Sequence, residues 1–487
     1  MKAKQLEKMG IPAALAKAAK WTVSQARQNG MELNEAKAKL RTLVDDPDAL
    51  RDDALFGDLA AEMSRYQRIA EARASAASQP ARESPAPCEQ WGADLDENSI
   101  KQIENACRLP VAVSAALMPD AHLGYGLPIG GVLATRAAVI PYAVGVDIAC
   151  RVKLSVLDLP TKALESQPDR LVNAIERETR FGIGASFVDR AGRGTTREHA
   201  VMDEDWSVSP ITNLNKDKAW RQLGTSGSGN HFVEFGVLTV DDDNASLLGL
   251  PNAGGQYLAL LSHSGSRGAG AAVCDHYATL AMRLHPELDK QAQHLAWLEL
   301  DSHEGAEYWE AMSLMGRYAS ANHACIHDAI ARHLGAEVLA GVENHHNFAW
   351  KERHADPETG EVEELVVHRK GATPAGEGVM GIIPGSMATP GYVVVGKGGA
   401  GSLCSASHGA GRVMSRKKAK QTFRWNHVKT TLEKAGVTVL SAGLDEVPGV
   451  YKDIDRVMAD QSDLVEKVAR FDPKLVKMAP AGERPED

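Results

Sequence analysis

The spacing of hydrophobic and polar positions changes along this chain and divides it into three parts. The first part, residues 1 to 71, is rich in alanine, leucine, lysine and glutamate and poor in β-branched residues, which is typical of helices. Gly30 interrupts the helical pattern and predicts a break between helices. Residues 72 to 97 are rich in alanine, serine and proline, so we expect a linker there. The pattern therefore predicts a helical N-terminal extension over 1–71.

Residues 98 to 487 show a different pattern, in which short β-prone runs alternate with glycine turns and longer helical stretches. Two of the β-prone runs are Leu258-Ala259-Leu260-Leu261 and Tyr392-Val393-Val394-Val395. No internal repeat is visible in the sequence. The pattern predicts an α+β fold, with one catalytic domain over 98–487 in which packed mixed or antiparallel sheets are flanked by helices.

Composition and charge limit the possible functions. A chain of 487 residues with 44% hydrophobic content can bury a large core. Its formal net charge of −10 is unusual for a protein that binds nucleic acid, because phosphate contacts need lysine and arginine. If the protein binds RNA, its basic residues must therefore be concentrated locally.

One local concentration lies between Arg412 and Lys429, where the chain has no acidic residue. Its basic residues are Arg412, Arg416, Lys417, Lys418, Lys420, Arg424 and Lys429. Phe423 and Trp425 lie among them, so the run is consistent with a phosphate track that carries stacking surfaces. A solvated basic helix produces the same pattern, and the sequence leaves both interpretations open.

The cysteines and the apolar runs indicate the compartment. The six cysteines have no CxxC spacing, and they are Cys88, Cys107, Cys150, Cys274, Cys325 and Cys404. The N-terminus has no apolar signal core, and no uninterrupted apolar run is long enough to span a bilayer. We therefore expect a reducing, cytoplasmic location and no membrane association.

The most informative short segment is Ser405-Ala406-Ser407-His408-Gly409-Ala410-Gly411-Arg412, which places a histidine among small residues. Small neighbours let main-chain N–H groups approach phosphate oxygens, and the planar fork of Arg412 can bind two such oxygens. A histidine in this setting is a candidate nucleophile toward a phosphorus atom. The alternative is that His408 caps a buried turn.

A second group of residues has the chemistry of metal ligands. Asp147 and Cys150 lie three residues apart, so one turn can direct both at the same ion or ion pair. Further imidazoles occur beside glycine-rich or polar turns, at His231, His263 and the pair in Asn344-His345-His346-Asn347. A thiolate, a carboxylate and several imidazoles suit a borderline divalent metal. Taken singly, each of these residues also has a structural explanation as a core or turn residue.

These segments resemble the RtcB family of RNA-splicing ligases, and the resemblance runs in matching order from about Met118 to about Lys477. The further matching motifs are Pro119-Asp120-Ala121-His122-Leu123-Gly124-Tyr125-Gly126, Leu223-Gly224-Thr225 leading into Ser228-Gly229-Asn230-His231, His368-Arg369-Lys370-Gly371-Ala372-Thr373, Pro384-Gly385-Ser386-Met387 and Tyr451-Lys452-Asp453. Because so many motifs match in order, the resemblance is specific.

The resemblance implies a GTP- and Mn²⁺-dependent RNA ligase for RNA repair or tRNA splicing. In that family a histidine is guanylylated by GTP, and RNA with a 2′,3′-cyclic phosphate or 3′-phosphate end is joined to RNA with a 5′-hydroxyl end. Carried over by motif, His408 is the nucleophile and Cys150 bridges two manganese ions. The other implied ligands are Asp147 and His231 for one ion and His263 and His346 for the other.

The resemblance also implies a guanylate-binding site and a set of partners. The implied nucleotide contacts are Asn230, His231, Glu234, His346, Asn347, Pro384, Gly385, Ser386, Met387, Gly391, His408, Gly409, Ala410, Gly411 and Lys477. The expected partners are RNA, GTP and an archease-type activator of the kind found beside some family members. We expect the protein to be a monomer.

Three positions depart from the family pattern. Pro374 stands where the family usually has an arginine, which removes a possible RNA or phosphate contact. Gly391 stands where a serine that contacts the guanylate is expected, so one hydrogen bond to the nucleotide is missing. The chain also continues past Lys477 to Asp487, whereas family members typically stop just after the lysine.

Other readings of the sequence remain possible. The protein could instead be a metal-dependent RNA-end phosphatase or cyclic-phosphate hydrolase, or a non-catalytic RNA-end sensor that uses its helical N-terminal region. Retention of His408 argues against both, because a plain hydrolase has no use for it. The glycine pattern at Gly396–Gly401 lacks the acidic residue that a dinucleotide site needs about twenty residues further on. The glycine pattern at Gly224–Gly229 lacks the lysine of a P-loop. We assign structural roles to His303, His323 and His327.

Overall fold

The computed structural model describes residues 1–77, 81–189, 191–250 and 254–483. Its contacts divide the chain into two compact units, Met1–Pro80 and Ala81–Asp487. Within residues 72–97, where the sequence predicts a linker, a helix continues to Ala77 and a strand occupies Cys88–Gln90. Residues 78–80 of that range lie outside the described residues, and the three-part domain division stays a prediction.

The N-terminal unit is helical, as the sequence predicts. Its α-helices are α1 (Ala3–Glu7), α2 (Ala16–Gln28), α3 (Leu33–Asp45) and α4 (Gly57–Ala77). Apolar residues recur at helical spacing, so that Ala19, Val23 and Ala26 of α2 share one buried face. They pack with Leu40 and Phe56 into a core that belongs to this unit alone. Gly30 has a φ of 90° and ends α2, which agrees with the break predicted there.

The second unit contains both helices and sheets. Its α-helices are α5 (Glu97–Cys107), α6 (Pro141–Val144), α7 (Ala163–Ser166), α8 (Pro168–Glu178), α9 (Pro210–Gln222), α10 (Asp242–Ala245), α11 (Arg267–Leu284), α12 (His303–Leu334), α13 (Arg416–Thr422), α14 (Trp425–Ala435) and α15 (Ile454–Ala459). Its strands are β1 (Cys88–Gln90), β2 (Ala112–His122), β3 (Ile129–Thr135), β4 (Ala138–Val139), β5 (Arg151–Leu157), β6 (Phe232–Val240), β7 (Gly255–Ser264), β8 (Leu298–Glu299), β9 (Val338–His345), β10 (Asn347–Ala355), β11 (Val362–Lys370), β12 (Ala372–Pro374), β13 (Met380–Ile383), β14 (Gly391–Gly396), β15 (Ser405–Ser407), β16 (Thr438–Ser441) and β17 (Val465–Met478).

The strands form two large sheets and two small ones. The largest has eight strands in the order β13-β14-β17-β6-β7-β5-β9, with β16 paired to β17. A five-stranded sheet has the order β1-β2-β3-β11-β10, and the pairs β12-β15 and β4-β8 complete the set. Most pairings are antiparallel, while β1-β2 and β16-β17 are parallel. The predicted α+β class with mixed and antiparallel sheets is therefore confirmed.

The central strand β7 shows how the sequence builds the core. Leu258 and Leu260 point to one side of the sheet and pack with α8 and α12, while Ala259 and Leu261 point to the other side. All four residues are fully buried, which explains why the run is hydrophobic at every position. The sheet is thus covered on both faces, and its strand ends remain available for a site.

The 32-residue helix α12 runs behind the large sheet and buries two of the histidines for which we predicted structural roles. The Oγ of Ser262 lies 2.7 Å from Nδ1 of His323 and 2.8 Å from Nε2 of His327. Nδ1 of His327 also lies 2.8 Å from Oγ of Ser155. These contacts occupy the ring nitrogens, so both histidines tie the helix to the sheet.

Two structural findings concern membrane spans and the state of the cysteines. In the part of the chain that the structure describes, no helix is both long enough and apolar enough to cross a bilayer. The six cysteines, all in described segments, are free thiols.

Candidate active site

The ends of four neighbouring strands create the candidate site. Strand β7 is antiparallel to both β5 and β6, and β5 is antiparallel to β9. The first residues of β5 and β6 therefore lie beside the last residues of β7 and β9, at the same end of these four strands. Cys150, His231, His263 and His346 lie at or one residue beyond these ends. Strand pairing thus collects side chains that are far apart in the sequence.

These side chains face each other at short distances. Sγ of Cys150 lies 3.4 Å from Nε2 of His231 and 3.1 Å from Nε2 of His263. Nε2 of His263 lies 3.2 Å from Nε2 of His346, and Nε2 of His231 lies 3.1 Å from Oδ2 of Asp147. The structure therefore brings together all five residues for which the sequence predicts metal binding.

The hydrogen bonds of the imidazoles show which of their ring nitrogens carry a proton. Nδ1 of His231 donates to the carbonyl of Ser226 at 2.7 Å, and Nδ1 of His263 donates to the carbonyl of Asn230 at 3.2 Å. In the neutral ring of His263 the Nε2 atom is then a lone-pair donor directed into the cluster. Burial lowers the pKa of His263 and of His346 well below the usual value, so both rings stay neutral.

Imidazole nitrogens, a sulfur and a carboxylate oxygen thus converge at short distances, and a bound cation would be coordinated by them. Three of the groups, from Cys150, His231 and His263, have ligand atoms within 4.8 Å of one another. Imidazole, thiolate and carboxylate together suit a borderline transition metal. The donor set therefore fits the metal that the sequence predicts.

The carboxylate of Asp147 is held by a tight turn. Ser266 donates its backbone N–H to Oδ1 of Asp147 at 3.0 Å. A Cβ at Gly265 would lie 2.1 Å from Oδ2, so only glycine permits this close approach. Burial alone would raise the pKa of Asp147, but the hydrogen bond and charge of His231 hold it well below the usual value. Asp147 is therefore an anionic group beside the cluster.

His408 follows β15 and is anchored by a buried carboxylate. Its Nδ1 lies 2.7 Å from Oδ2 of Asp120, and the same oxygen accepts the backbone N–H groups of His408 and Gly409. Burial would raise the pKa of Asp120, but the imidazole of His408 keeps it below its usual value. Because the ionised carboxylate can only accept, Nδ1 carries a proton, and Nε2 has the lone pair whenever the ring is neutral.

The turn after His408 depends on small residues. Gly411 has a φ of 73°, and a Cβ there would lie 2.1 Å from the carbonyl oxygen of Asp120. Glycine is thus required both for the backbone conformation and for the contact with β2. The ring centroid of His408 lies 4.9 Å from that of His346, so the anchored histidine stands beside the metal-ligand cluster.

A cavity of about 840 Å³ contains both features. It is lined by the predicted ligands Asp147, Cys150, His231, His263 and His346 and by the predicted nucleotide contacts Asn230, Glu234, Asn347, Pro384, Gly385, Ser386, Met387, Gly391, His408, Gly409, Ala410 and Gly411. Burial raises the pKa of Glu234 to about 8. A cavity of this size is in the range for a nucleotide-sized ligand.

Lys477 is the predicted site residue that the structure does not bring to the cavity. Its neighbours on β17, Val476 and Met478, line the cavity, so the alternation of the strand turns Lys477 to the opposite face. There its Nζ lies 2.6 Å from Oε2 of Glu176 and 5.7 Å from the ring centroid of Phe181. The nucleotide contact of Lys477 stays a prediction.

Several basic residues in and near the candidate site have protein partners. Arg412 lines the cavity, but its Nη1 lies 3.2 Å from Oε2 of Glu446, and Arg416 also pairs with Glu446. Arg369 forms a two-pronged ion pair with Glu352 at 2.7 and 2.9 Å and does not line the cavity. The basic run thus serves in part to fix the cavity wall.

Asp120 is the residue whose role the sequence did not reveal. It lies inside the matched motif Pro119–Gly126, but its partner His408 follows 288 residues later. Nothing local in the sequence links the two. The signal in the sequence was the glycine turn after His408. A turn that requires glycine, as this one does at Gly411, indicates that another part of the chain lies close to its backbone.

Two departures from the family pattern have distinct positions. Pro374 lies on β12 opposite Ser405 and does not line the cavity. Gly391 begins β14 and does line it. A Cβ at Gly391 would lie 3.2 Å from Cα of Pro384, so a larger residue fits only if the backbone shifts slightly.

Comparison with known proteins assigns this fold and site to a class. The sequence model of the family described as "tRNA-splicing ligase RtcB" matches residues 102–478. The match covers the large sheet, the metal-ligand cluster and His408. The protein is therefore an RNA ligase by class, and the chain belongs to the RtcB family.

Several named relatives align over most of this chain. "RNA-splicing ligase RtcB" of Escherichia coli strain K12 is 33% identical over an alignment of 416 residues that covers 79% of this chain and 95% of the relative. "tRNA-splicing ligase RtcB" of Nanoarchaeum equitans is 32% identical over 442 residues, covering 78% and 91% of the two chains. "RNA-splicing ligase RtcB" of Mycobacterium tuberculosis is 32% identical over 430 residues, covering 76% and 98%.

Proposed function

We propose that this protein joins RNA ends through a guanylylated His408, using GTP and two manganese ions. The substrates are RNA with a 2′,3′-cyclic phosphate or 3′-phosphate end and RNA with a 5′-hydroxyl end, as in RNA repair or tRNA splicing. The observation that carries the proposal is the pair formed by His408 and Asp120 beside the metal-ligand cluster. A metallophosphatase would need the cluster but not a histidine with a free Nε2.

The residues in the cluster divide the metal binding between them. Cys150 is the shared ligand, with Asp147 and His231 on one side and His263 and His346 on the other. When bound, the ions would supply positive charge to non-bridging phosphate oxygens, where charge accumulates in nucleotidyl transfer. The proposal is supported by the three lone-pair donors within 4.8 Å of one another.

His408 has the properties of the nucleophile. Its Nε2 attacks the α-phosphorus of GTP, a nitrogen–phosphorus bond forms, and pyrophosphate leaves with the electron pair of the broken bond. The proton on Nδ1 stays in its hydrogen bond to Asp120, whose negative charge stabilises the positive ring that results. The small residues Gly409 to Gly411 leave room for the phosphate beside the main chain.

The guanylate then activates the RNA end. Water first opens a 2′,3′-cyclic phosphate end to a 3′-phosphate. Transfer of the guanylate from His408 to this terminal phosphate breaks the phosphorus–nitrogen bond and creates a good leaving group, and the 5′-hydroxyl then loses its proton and displaces GMP to form the new phosphodiester bond. We propose that Asn230, Glu234, Asn347 and the segment Pro384 to Met387 bind the nucleotide, and their position around the cavity supports this role. We propose that Gly391 and Lys477 also contact the nucleotide.

Incubation with Mn²⁺ and GTP labelled at the α-phosphate, followed by denaturing electrophoresis, tests the proposal. We expect a covalent label that acid removes and alkali does not, as for a phosphorus–nitrogen bond to imidazole. His408→Ala should lose the label and the joining activity but keep bound metal, and His303→Ala, a surface control, should behave as wild type. Wild-type protein that removes RNA end phosphates but never takes up label would favour the metallophosphatase alternative.

The same proposal includes a monomeric protein in a reducing, cytoplasmic compartment, and an archease-type activator. The free state of the six cysteines supports a reducing compartment. Light scattering on the purified protein measures the mass. Addition of a purified archease to the labelling reaction measures activation, and a label yield that does not change would remove this partner from the proposal.

A further inference from the structure

The N-terminal unit has a local excess of positive charge. Residues 1–31 contain five lysines and one arginine against a single glutamate, although the whole chain has a net charge of −10. Residues 32–77 contain seven basic and ten acidic residues. The positive excess therefore belongs to α1 and α2 and is not a property of the whole unit.

The solvent side of α2 carries a large aromatic residue within this basic region. Trp21 is 65% exposed, which is unusual for a side chain that otherwise contributes strongly to cores. Lys17 lies one helical turn before it, Lys20 is adjacent, and Ser24 lies one turn after it, all exposed. We call these four residues the α2 face.

The core of the unit does not use the α2 face. The opposite side of the helix, with Ala19, Val23 and Ala26, is the side that packs against α3 and α4. Among the residues that the structure describes, no carboxylate forms an ion pair with Lys17 or Lys20. The indole and the two ammonium groups are therefore available to a ligand.

The other basic region of the chain is compensated in part by acidic residues. In the run from Arg412 to Lys429, Arg412 and Arg416 pair with Glu446, and Nζ of Lys420 lies 3.2 Å from Oδ2 of Asp445. Part of the positive charge of this run is therefore already neutralised within the protein.

We propose that the α2 face binds single-stranded RNA, as a site separate from the catalytic cavity. A nucleobase stacks on Trp21, while Lys17 and Lys20 contact the neighbouring phosphates and Ser24 offers a hydrogen bond. An aromatic ring between cations is the arrangement that binds single strands without sequence preference, because every base has a stacking face. The family match begins at residue 102, so this site is an addition to the shared catalytic domain. It does not depend on the chemistry of His408.

The test measures binding of a fluorescent single-stranded RNA of about 20 nucleotides to the full-length protein by anisotropy, without GTP and without terminal phosphates. Trp21→Ala should weaken binding by about 5- to 100-fold, the range for loss of one stacked base. Lys17→Ala with Lys20→Ala should reduce the slope of log affinity against log salt by about 1.4, or roughly 0.7 for each lost phosphate contact.

An abasic RNA of the same length separates the two contributions. With this probe the effect of Trp21→Ala should vanish, because no base remains to stack, while the effect of the lysine variant should persist. The matched control is Arg65→Ala with Tyr66→Ala on α4, which removes an exposed cation and an exposed ring beside the acidic Glu62. This control should bind RNA as wild type does.

Three results would overturn the proposal. They are wild-type RNA affinity in both α2-face variants, an equal loss of affinity in the α4 control, and an effect of Trp21→Ala that persists on the abasic RNA. Labelling with GTP is measured on the same samples and should be unchanged in all variants. Loss of labelling in the wild type would contradict the ligase mechanism but not the α2 face.

Discussion

Nδ1 of His408 lies 2.7 Å from Oδ2 of Asp120, and this single carboxylate oxygen also accepts the backbone N–H groups of His408 and Gly409. One buried atom thus fixes the ring orientation, the position of the proton and the start of the following turn. Oδ1 of Asp120 has no hydrogen-bond partner among the described residues, so the carboxylate is committed to the histidine.

Asp120→Asn should slow guanylylation of His408 while the fold persists. The amide oxygen can still accept the same donors, but the negative charge that stabilises the positive ring is lost. Carboxylates that orient a catalytic histidine contribute on the order of 10²-fold or more to the rate. The measurement is the rate of label uptake from GTP, with metal content as the control. A variant that takes up label at the wild-type rate with an unchanged pH profile would reduce Asp120 to a structural role.

Cys150→Ala should remove metal from both sides of the cluster, because its sulfur contacts the imidazoles of His231 and His263. A shared ligand should cost more than half of the bound manganese and abolish labelling. Cys274→Ala is the matched control, since this cysteine is also buried and free but lies outside the cluster. Elemental analysis of the purified variants gives the answer. Two tightly bound manganese ions in Cys150→Ala would contradict a bridging role.

Gly391→Ser is expected to restore a hydrogen bond to the nucleotide. One neutral hydrogen bond is worth on the order of 1 kcal/mol, or roughly fivefold in affinity. A Cβ at this position would contact Cα of Pro384 at 3.2 Å, so Gly391→Ala is needed to measure the cost of the added carbon. The apparent GTP requirement should be lower for serine than for alanine. Equal values for the two variants would show that no hydroxyl contact forms at residue 391.

Glu234→Gln should change how stability depends on pH. Burial raises the pKa of Glu234 to about 8 in the folded protein, against an ordinary value of 4.5. Between these values the folded protein keeps a proton that the unfolded chain has released, so stability falls as pH rises through this window. Glutamine has no such proton. The Tm advantage of Glu234→Gln over wild type should grow from pH 5 to pH 8 in chelator-treated samples, and a constant difference would show that Glu234 ionises normally.

The main strands and helices and the residue types of the candidate site could be predicted from the sequence. The β-prone run Leu258–Leu261 predicted a strand, and it lies in β7, an interior strand of the large sheet. The helical extension and the α+β class followed from spacing and composition. Helix and strand preferences and the spacing of buried positions are local properties, so each segment shows them in its own sequence.

What only the tertiary structure decided is which distant residues meet, and which do not. Cys150, His231, His263 and His346 come together because the antiparallel register of β5, β6, β7 and β9 aligns their ends. Asp120 reaches His408 through the packing of β2 against the turn at Gly411.

Strand alternation and packing also decide which side chains face the cavity and which have partners inside the protein. Strand alternation turned Lys477 away from the cavity, and packing gave Arg412 the buried partner Glu446 in place of an open face. Contacts across hundreds of residues depend on register and packing, which no local pattern specifies.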